Sequence, residues 1–502
     1  MCSNGKQKEK PFKYIRHRPE KKLLYKVVAN NLETWLENRR LESRSPLPEF
    51  VETSLRSYLS CGILEEGFIL VSCDECENAI PVAHSCKRPI CPSCAAKRSA
   101  EIKSHLIDNV LPHVPYRQYV VTFPHKLRFW MATSRALTNL VHTITTKMIA
   151  SYYEEMAEQR GIEDPVVGGA SFLQRFGSAL NINVHQHTVI AEGVWSEASG
   201  EPKFYHLSGP ENEHVADMVE ATAGAVIDLL QTKGYLPGEY DEVDRPDLPA
   251  LLDRVFADSD ALTAALFASA EMRIAFGEHA GQKVRKIGQS FGYQGEVGLV
   301  KGKRLASANG FTIHADRYIG KREPRKLEKL ISYASRGPFS HERLSLKDPC
   351  NPGGDLVYQL KTPWHDGTKA IVLTQMEMIE KLAALVPPRY LHQTRYFGAF
   401  ASASKMRPKI IIRPHVKKGY VASGPQSVER ISWSWLLKRT FKLDLQRCLV
   451  CHTKIKVENC VLYDDPIAIK KVMWVLGLKY HPPPRRPARY KSNEFVYEPI
   501  DT

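Results

Sequence analysis

Asn183-Val184-His185-Gln186-His187-Thr188-Val189-Ile190 sets two histidines one residue apart in a stretch that reads as a β-strand. Ile182, Val184, Val189 and Ile190 supply the branched side chains that suit a pleated backbone, and the strand is expected over residues 180–190. Side chains alternate faces along a strand, so His185 and His187 point the same way. Two imidazoles side by side on a rigid element form a ready site for a divalent metal. An isolated His-x-His also occurs as a pair of solvated histidines, so the surrounding chemistry must decide.

That chemistry begins with four cysteines. Cys73-x2-Cys76 and Cys91-x2-Cys94 are knuckles separated by fourteen residues, the usual frame of one tetrahedral structural Zn²⁺. The spacing predicts a single zinc held by Cys73, Cys76, Cys91 and Cys94. Cys61 lies upstream, and His84 and Cys86 lie between the knuckles as substitute ligands. Lys87, Arg88, Lys97 and Arg98 flank the second knuckle, a pattern that points to nucleic acid.

Composition points the same way. In 502 residues, Lys and Arg outnumber Asp and Glu by 15, which favours a polyanionic partner. Eleven cysteines in so long a chain fit a reducing compartment better than a disulfide scaffold. No apolar run approaches a membrane span, and the lysine-rich start lacks the apolar segment of a secretory signal. The expected location is the cytoplasm, with no membrane contact.

A basic opening segment, residues 1–50, leads into a helix expected over 23–40. Another helix begins near Ser93. Residues 116–124 read as a strand ended by Pro124, and residues 133–160 as a long helix. Residues 210–275 are largely helical around an acidic loop at 239–247. Residues 310–319 read as a strand that puts Thr312, His314 and Asp316 on one face. Residues 355–375 read as a strand pair turning at His365-Asp366-Gly367. Lys405, Arg407, Lys409, Arg413, Lys417 and Lys418 fall in a window without acids. The Pro/Arg-rich stretch 482–491 is expected to be disordered.

The helix expected over 324–336 carries Leu327, Leu330 and Ile331 as a buried stripe with Tyr333 beside it. Lys326, Lys329 and Arg336 lie seven and four residues before Tyr333 and three after it, so helical spacing gathers them on its face. A tyrosine among cations has a stabilised phenolate and a neutralised phosphate partner. The ordinary alternative is a boundary tyrosine with a wet phenol tip.

Several segments together resemble the rolling-circle transposases of insertion-sequence family 91, part of the HUH single-strand endonucleases. They are Cys73-Asp-Glu-Cys76, His84-Ser-Cys86-Lys-Arg, Cys91-Pro-Ser-Cys94, Gln118-Tyr-Val-Val-Thr-Phe-Pro124 and Arg175-Phe-Gly-Ser-Ala-Leu-Asn-Ile-Asn-Val-His-Gln-His187. Further along come Gly310-Phe-Thr-Ile-His314-Ala, Leu330-Ile-Ser-Tyr333-Ala-Ser-Arg336, Leu360-Lys-Thr-Pro-Trp-His-Asp-Gly367, and Trp435-Leu-Leu-Lys-Arg439 leading to Cys448-Leu-Val-Cys451.

The resemblance implies an α+β protein. A zinc-binding, DNA-binding domain would occupy 51–112. An HUH nuclease domain with a central antiparallel sheet flanked by helices would occupy 113–380, and a basic DNA-binding region with a disordered tail 381–502. It implies His185 and His187 as ligands of catalytic Mg²⁺ or Mn²⁺, and Tyr333 as the nucleophile. His314 matches a family histidine and is the first choice for third ligand, with Gln174 second. The implied reaction is nicking and rejoining of single-stranded DNA ends through a 5′-phosphotyrosine, with Lys326, Lys329 and Arg336 stabilising charge. A plasmid or phage replication initiator and a non-catalytic zinc DNA-binding protein are the rival readings.

The chain departs from the family pattern twice. Gln186 replaces a bulky apolar residue between the histidines, and Gly337 stands where some members carry a second tyrosine. Cys448 and Cys451 make half a zinc site for which His452 and Cys460 are the candidates to complete it, and a metal-free structural role is favoured for them.

Overall fold

The computed structural model describes residues 18–42, 47–76, 79–236, 260–288, 302–411, 448, 451, 453, 456–462 and 465–489. The lysines of the opening segment up to Lys13, Arg16, the acidic loop 239–247, Arg413, Lys417, Lys418, residues 435–439 and His452 lie outside these.

Helices α1 (Leu23–Glu42) and α2 (Glu49–Ser60) precede a hairpin of β1 (Phe68–Ser72) and β2 (Ala79–Ala83), and α3 (Pro92–Asn109) follows. Then come β3 (Tyr116–Thr122), α4 (His125–Thr133), α5 (Arg135–Glu158), β4 (Gly168–Phe176), β5 (Ile182–Ala191), β6 (Gly193–Ser196) and β7 (Lys203–His206). Helices α6 (Asn212–Thr232) and α7 (Ala261–Ala270) lead to β8 (Arg285–Ile287), β9 (Leu305–Ala308), β10 (Phe311–His314), β11 (Tyr318–Ile319) and α8 (Pro324–Ala334). The remainder is β12 (Leu344–Leu346), β13 (Leu356–Gln359), β14 (Ala370–Leu373), α9 (Gln375–Leu385), β15 (Thr394–Gly398), α10 (Arg407–Ile410), β16 (Lys456–Leu462) and α11 (Pro466–Val475).

Local signals account for several of these starts. The Ser134 hydroxyl accepts from the Leu137 N–H and caps α5. Thr374 and Glu377 form a reciprocal capping box that opens α9. Pro324 occupies the first turn of α8, where its missing N–H costs nothing, and Leu327, Leu330, Ile331 and Ala334 form the buried stripe. The expected strand at 310–319 is two strands, β10 and β11, which pair with opposite ends of β3.

The protein is α+β. Among the described residues, the largest sheet has seven strands in the order β15-β4-β5-β3-β10-β9, with β11 also on β3, and its pairings are antiparallel. β5 sits at its centre. One face packs against α8 and α3 through Phe172, Val189, Leu106, Leu327 and Leu330. The other face is covered by α5. β12, β13, β14 and β8 form a second antiparallel sheet, and the expected turn at His365-Asp366-Gly367 joins its β13 and β14, with Gly367 at φ +82°. No helix among the described residues is long and apolar enough to cross a membrane.

Gln186 points to the α5 face, opposite the histidines. It is fully buried, and its Oε1 accepts from Thr145 Oγ1 at 2.6 Å. Its Nε2 donates to Thr146 Oγ1 at 3.1 Å and Thr188 Oγ1 at 2.9 Å. The polar substitution is therefore accommodated by threonines on α5 and on the strand itself, which satisfy an amide that would otherwise cost its desolvation.

His142 of α5 belongs to the same polar layer, with Nε2 2.7 Å from Ser171 Oγ. Burial, then the Arg395 charge, pushes its pKa down to about 3. The unfolded imidazole titrates near 6.5. Above that pH both states are neutral. As pH falls below 6.5 only the unfolded state gains the proton, so stability is lost progressively down to about pH 3. Between pH 7 and pH 5 this group should cost about 2 kcal/mol. Denaturant unfolding of His142→Gln over that range should show a correspondingly shallower loss, and an unchanged slope would refute the assignment.

The tail expectation is overturned as far as residue 489. Arg485 pairs with Glu66, the Arg486 N–H donates to the Ala29 carbonyl, and Arg489 donates to Asn31 Oδ1 at 2.7 Å. The Pro/Arg stretch lies as a strap that starts at Glu66, beyond α2, and continues along α1, where carbonyl and amide acceptors hold it.

Candidate catalytic site and cysteine clusters

The strand register decides which side chains converge. On β5, His185 stands opposite Gln174 of β4 and Thr122 of β3, and His187 stands opposite Phe172 and Val120. Their rings share one face, with centroids 5.0 Å apart. His185 Nδ1 donates to the Asn183 carbonyl at 2.7 Å, which leaves Nε2 as the lone-pair nitrogen. Gln118 Nε2 lies 2.8 Å from His187 Nδ1. His187 Nε2 is buried with no hydrogen-bond partner. A half-turn of the Gln118 amide presents its oxygen to Nδ1–H and frees Nε2 to bind a cation. Burial pushes both imidazoles down, His185 to about 4 and His187 to about 3, so both are neutral at pH 7.

Tyr333 lies at the C-terminal end of α8. Its ring meets His187 edge-on at 5.5 Å between centroids. Gln174 fixes this approach: its Nε2 donates to the carbonyls of Tyr333 at 2.9 Å and Ala334 at 2.8 Å, joining the helix end to β4. That leaves Gln174 Oε1 buried and unpartnered beside the histidines. The Arg336 guanidinium lies 4.7 Å from the Tyr333 ring centroid, and Lys361 Nζ lies at 4.7 Å as well. Arg336 Nε is buried without an acceptor.

Other expected participants stand elsewhere. Lys326 is exposed and paired with Glu323 at the start of α8, and Lys329 is exposed. Arg336 and Lys361 are the cations found over the Tyr333 ring, in place of Lys326 and Lys329. Residues a full turn or two before Tyr333 sit toward the far end of the helix. Lys361 arrives from the loop after β13, which helical periodicity could not reveal. His314 shares the histidine face but sits across Val120 from His187, two strands away and exposed. Two strand spacings amount to about 10 Å, too far for one ion. Among the described residues His314 is not brought into a ligand group with the histidine pair.

Gly337 explains the missing second tyrosine. A Cβ there would come within 2.5 Å of the Ala95 Cβ on α3. Ser99 of α3 and Ser335 are bonded at 2.8 Å between hydroxyls, so the cysteine-bearing helix buttresses the end of α8.

The cysteines group differently from the expected single site. Cys61, Cys86, Cys91 and Cys94 form one cluster, and Cys73, Cys76, Cys448 and Cys451 form another. The β1–β2 hairpin is the physical reason. Cys73 and Cys76 lie at its turn, whereas Cys61 and Cys86 lie at its base, next to the start of α3. A five-residue strand spans about 17 Å, so the two knuckles cannot share an ion. In the first cluster Cys94 Sγ is 3.5 Å from Cys61 and 3.6 Å from Cys86, and Cys61 is 3.7 Å from Cys91. Zn–S bonds of about 2.3 Å place tetrahedral thiolates about 3.8 Å apart, so these four fit one zinc.

Two family models match the chain. One, described as "Transposase zinc-binding domain", covers residues 29–123, and one, described as "Putative transposase", covers residues 252–407. Together they span half of the sequence. The first range holds the whole Cys61 cluster, and the second holds Tyr333, Arg336 and Lys361. No curated protein and no solved structure matches the chain.

Proposed function

We propose that this chain, which belongs to the insertion-sequence 91 transposases, nicks and rejoins single-stranded DNA at its element's ends through a 5′-phosphotyrosine. In this reading it is an HUH nuclease that drives rolling-circle transposition in the cytoplasm. One observation carries the reading: Tyr333 stands against a histidine pair on the central sheet, beside two buried polar atoms, His187 Nε2 and Gln174 Oε1, that lack partners. Unpaired buried atoms of this kind are costly in a fold and mark a place for a ligand.

His185, His187 and Gln174 fit a divalent cation. Two neutral imidazoles and one amide oxygen are donors of the kind Mg²⁺ or Mn²⁺ would accept here. When bound, the ion would supply Lewis-acid polarisation of the scissile phosphate. Tyr333 Oη attacks phosphorus as the bond to the 3′-oxygen breaks. The phenol loses a proton and the departing oxygen takes one up, so the phosphodiester energy is kept in the tyrosyl ester and a second strand can be joined by reversal. Arg336, with its unsatisfied Nε–H, and Lys361 would neutralise charge developing on the phosphoryl oxygens. Gln174 also positions the nucleophile by holding the end of α8 to the sheet. The Cys61 cluster, as a structural zinc site, would brace α8 from behind through α3.

The test is a nicking assay with the full chain, Mg²⁺ and oligonucleotides carrying either element end. Single strands should be cut and the same duplexes left intact. Zinc-loaded protein that binds these ends but cuts none of them would defeat the catalytic reading.

A further inference from the structure

The carboxyl-terminal cysteines lie beyond both family matches, yet they meet the first knuckle across more than 370 residues of chain. Cys73 Sγ is 3.4 Å from Cys451 Sγ, and Cys76 Sγ is 3.4 Å from Cys448 Sγ. A disulfide requires about 2.05 Å. The separations are instead near the edge of a thiolate tetrahedron around zinc. Thr453 Oγ1 adds a hydroxyl at 3.3 Å from Cys73 and 2.9 Å from Cys451, a donor suited to metal-bound sulfur.

The topology explains why the four thiols meet. β16 runs antiparallel to β1, with Lys456 opposite Ser72 and Leu462 opposite Phe68. The residues just before β16 are thereby delivered to the turn of the β1–β2 hairpin, where Cys73 and Cys76 wait. Beyond β16, Ile469 and Met473 of α11 pack on Leu64 and Phe68. The strap of 485–489 then follows α1. This end of the chain is folded onto the amino-terminal zinc-binding domain rather than standing apart.

We propose that Cys73, Cys76, Cys448 and Cys451 bind a second structural Zn²⁺, a clasp that ties the carboxyl-terminal segment to the amino-terminal domain. The knuckle at Cys448 is therefore half of a site whose other half is the knuckle at Cys73, and neither His452 nor Cys460 is needed to complete it. The proposal is independent of the transposition chemistry, because its readout is metal content and thiol protection without DNA.

The full chain, purified under reducing conditions, should contain two zinc ions per molecule. A Cys448→Ser/Cys451→Ser variant should contain one, and Cys61→Ser/Cys94→Ser should lose the other. In wild-type protein, alkylation followed by peptide mapping should find Cys73 and Cys448 protected until a chelator is added, and then labelled together. The mapping is done on unaltered protein, so it decides the matter even where a variant fails to fold. One zinc in the wild type, unchanged by Cys448→Ser/Cys451→Ser, would overturn the proposal. So would rapid labelling of Cys448 in zinc-replete protein, or recovery of Cys73–Cys451 and Cys76–Cys448 as disulfides.

Discussion

Replacing Tyr333 by Phe should eliminate the covalent protein–DNA adduct, with nicking reduced on the order of 10⁴-fold or more. The substitution keeps the ring, and with it the edge contact to His187 and the cations Arg336 and Lys361 over its face. It removes only the attacking oxygen. Thermal stability and affinity for a single-stranded end should therefore match the wild type. Trapping with a labelled oligonucleotide, followed by peptide mapping, should place the adduct on Tyr333. The nearest competitors are poorly placed: Tyr318 is exposed on β11, and Tyr358 is fully buried on the second sheet. An adduct of undiminished yield in Tyr333→Phe would refute the mechanism.

The second large effect concerns the histidine pair. His185→Ala and His187→Ala should each lower Mg²⁺-dependent nicking by more than about 100-fold, since losing a direct ligand exceeds the cost usual for an outer-shell partner. DNA affinity should be nearly unchanged, because affinity for nucleic acid rests mainly on phosphate neutralisation by arginine and lysine side chains, which these substitutions leave in place. His187→Ala should lower stability by about 1–3 kcal/mol, as it opens a cavity beside Tyr333 and leaves the buried Gln118 amide without its partner. Gln174→Ala provides a contrast: it removes an oxygen beside the pair and also releases the carbonyls at the end of α8. Raised Mn²⁺ should rescue it only in part. Near wild-type nicking by His185→Ala or His187→Ala would mean that the pair does not hold the ion.

Much of the candidate catalytic site was legible from local periodicity. The alternation in β5 set His185 and His187 on one face, and helical spacing in α8 buried Leu327, Leu330 and Ile331 while leaving Tyr333 at the boundary. Both are properties of a single element. Helical spacing also gave Arg336, but periodicity fixed neither a proposed third ligand nor the second cation, Lys361. His314 carries the right chemistry, but strand order sets it two places from His187. Gln174 and Lys361 carry no distinctive motif, and each reaches the site only because its own element is delivered there.

The cysteines divide along the same line. Knuckle spacing alone was enough to indicate thiolate zinc chemistry in the amino-terminal domain, and the matched zinc-binding domain agrees. Periods of two and 3.6 residues placed the individual strands and helices along the chain, whereas the α+β class and the proposed pairing of the histidines with Tyr333 followed from the family resemblance of the sequence motifs. Which thiols share an ion was decided only by tertiary structure. A hairpin carries its turn about 17 Å from its base, so the knuckles of one contiguous stretch are driven apart. An antiparallel strand from the far end of the chain then brings Cys448 and Cys451 to the vacant side. Sequence distance measures neither separation, because strand direction and pairing, rather than spacing along the chain, set where a side chain arrives.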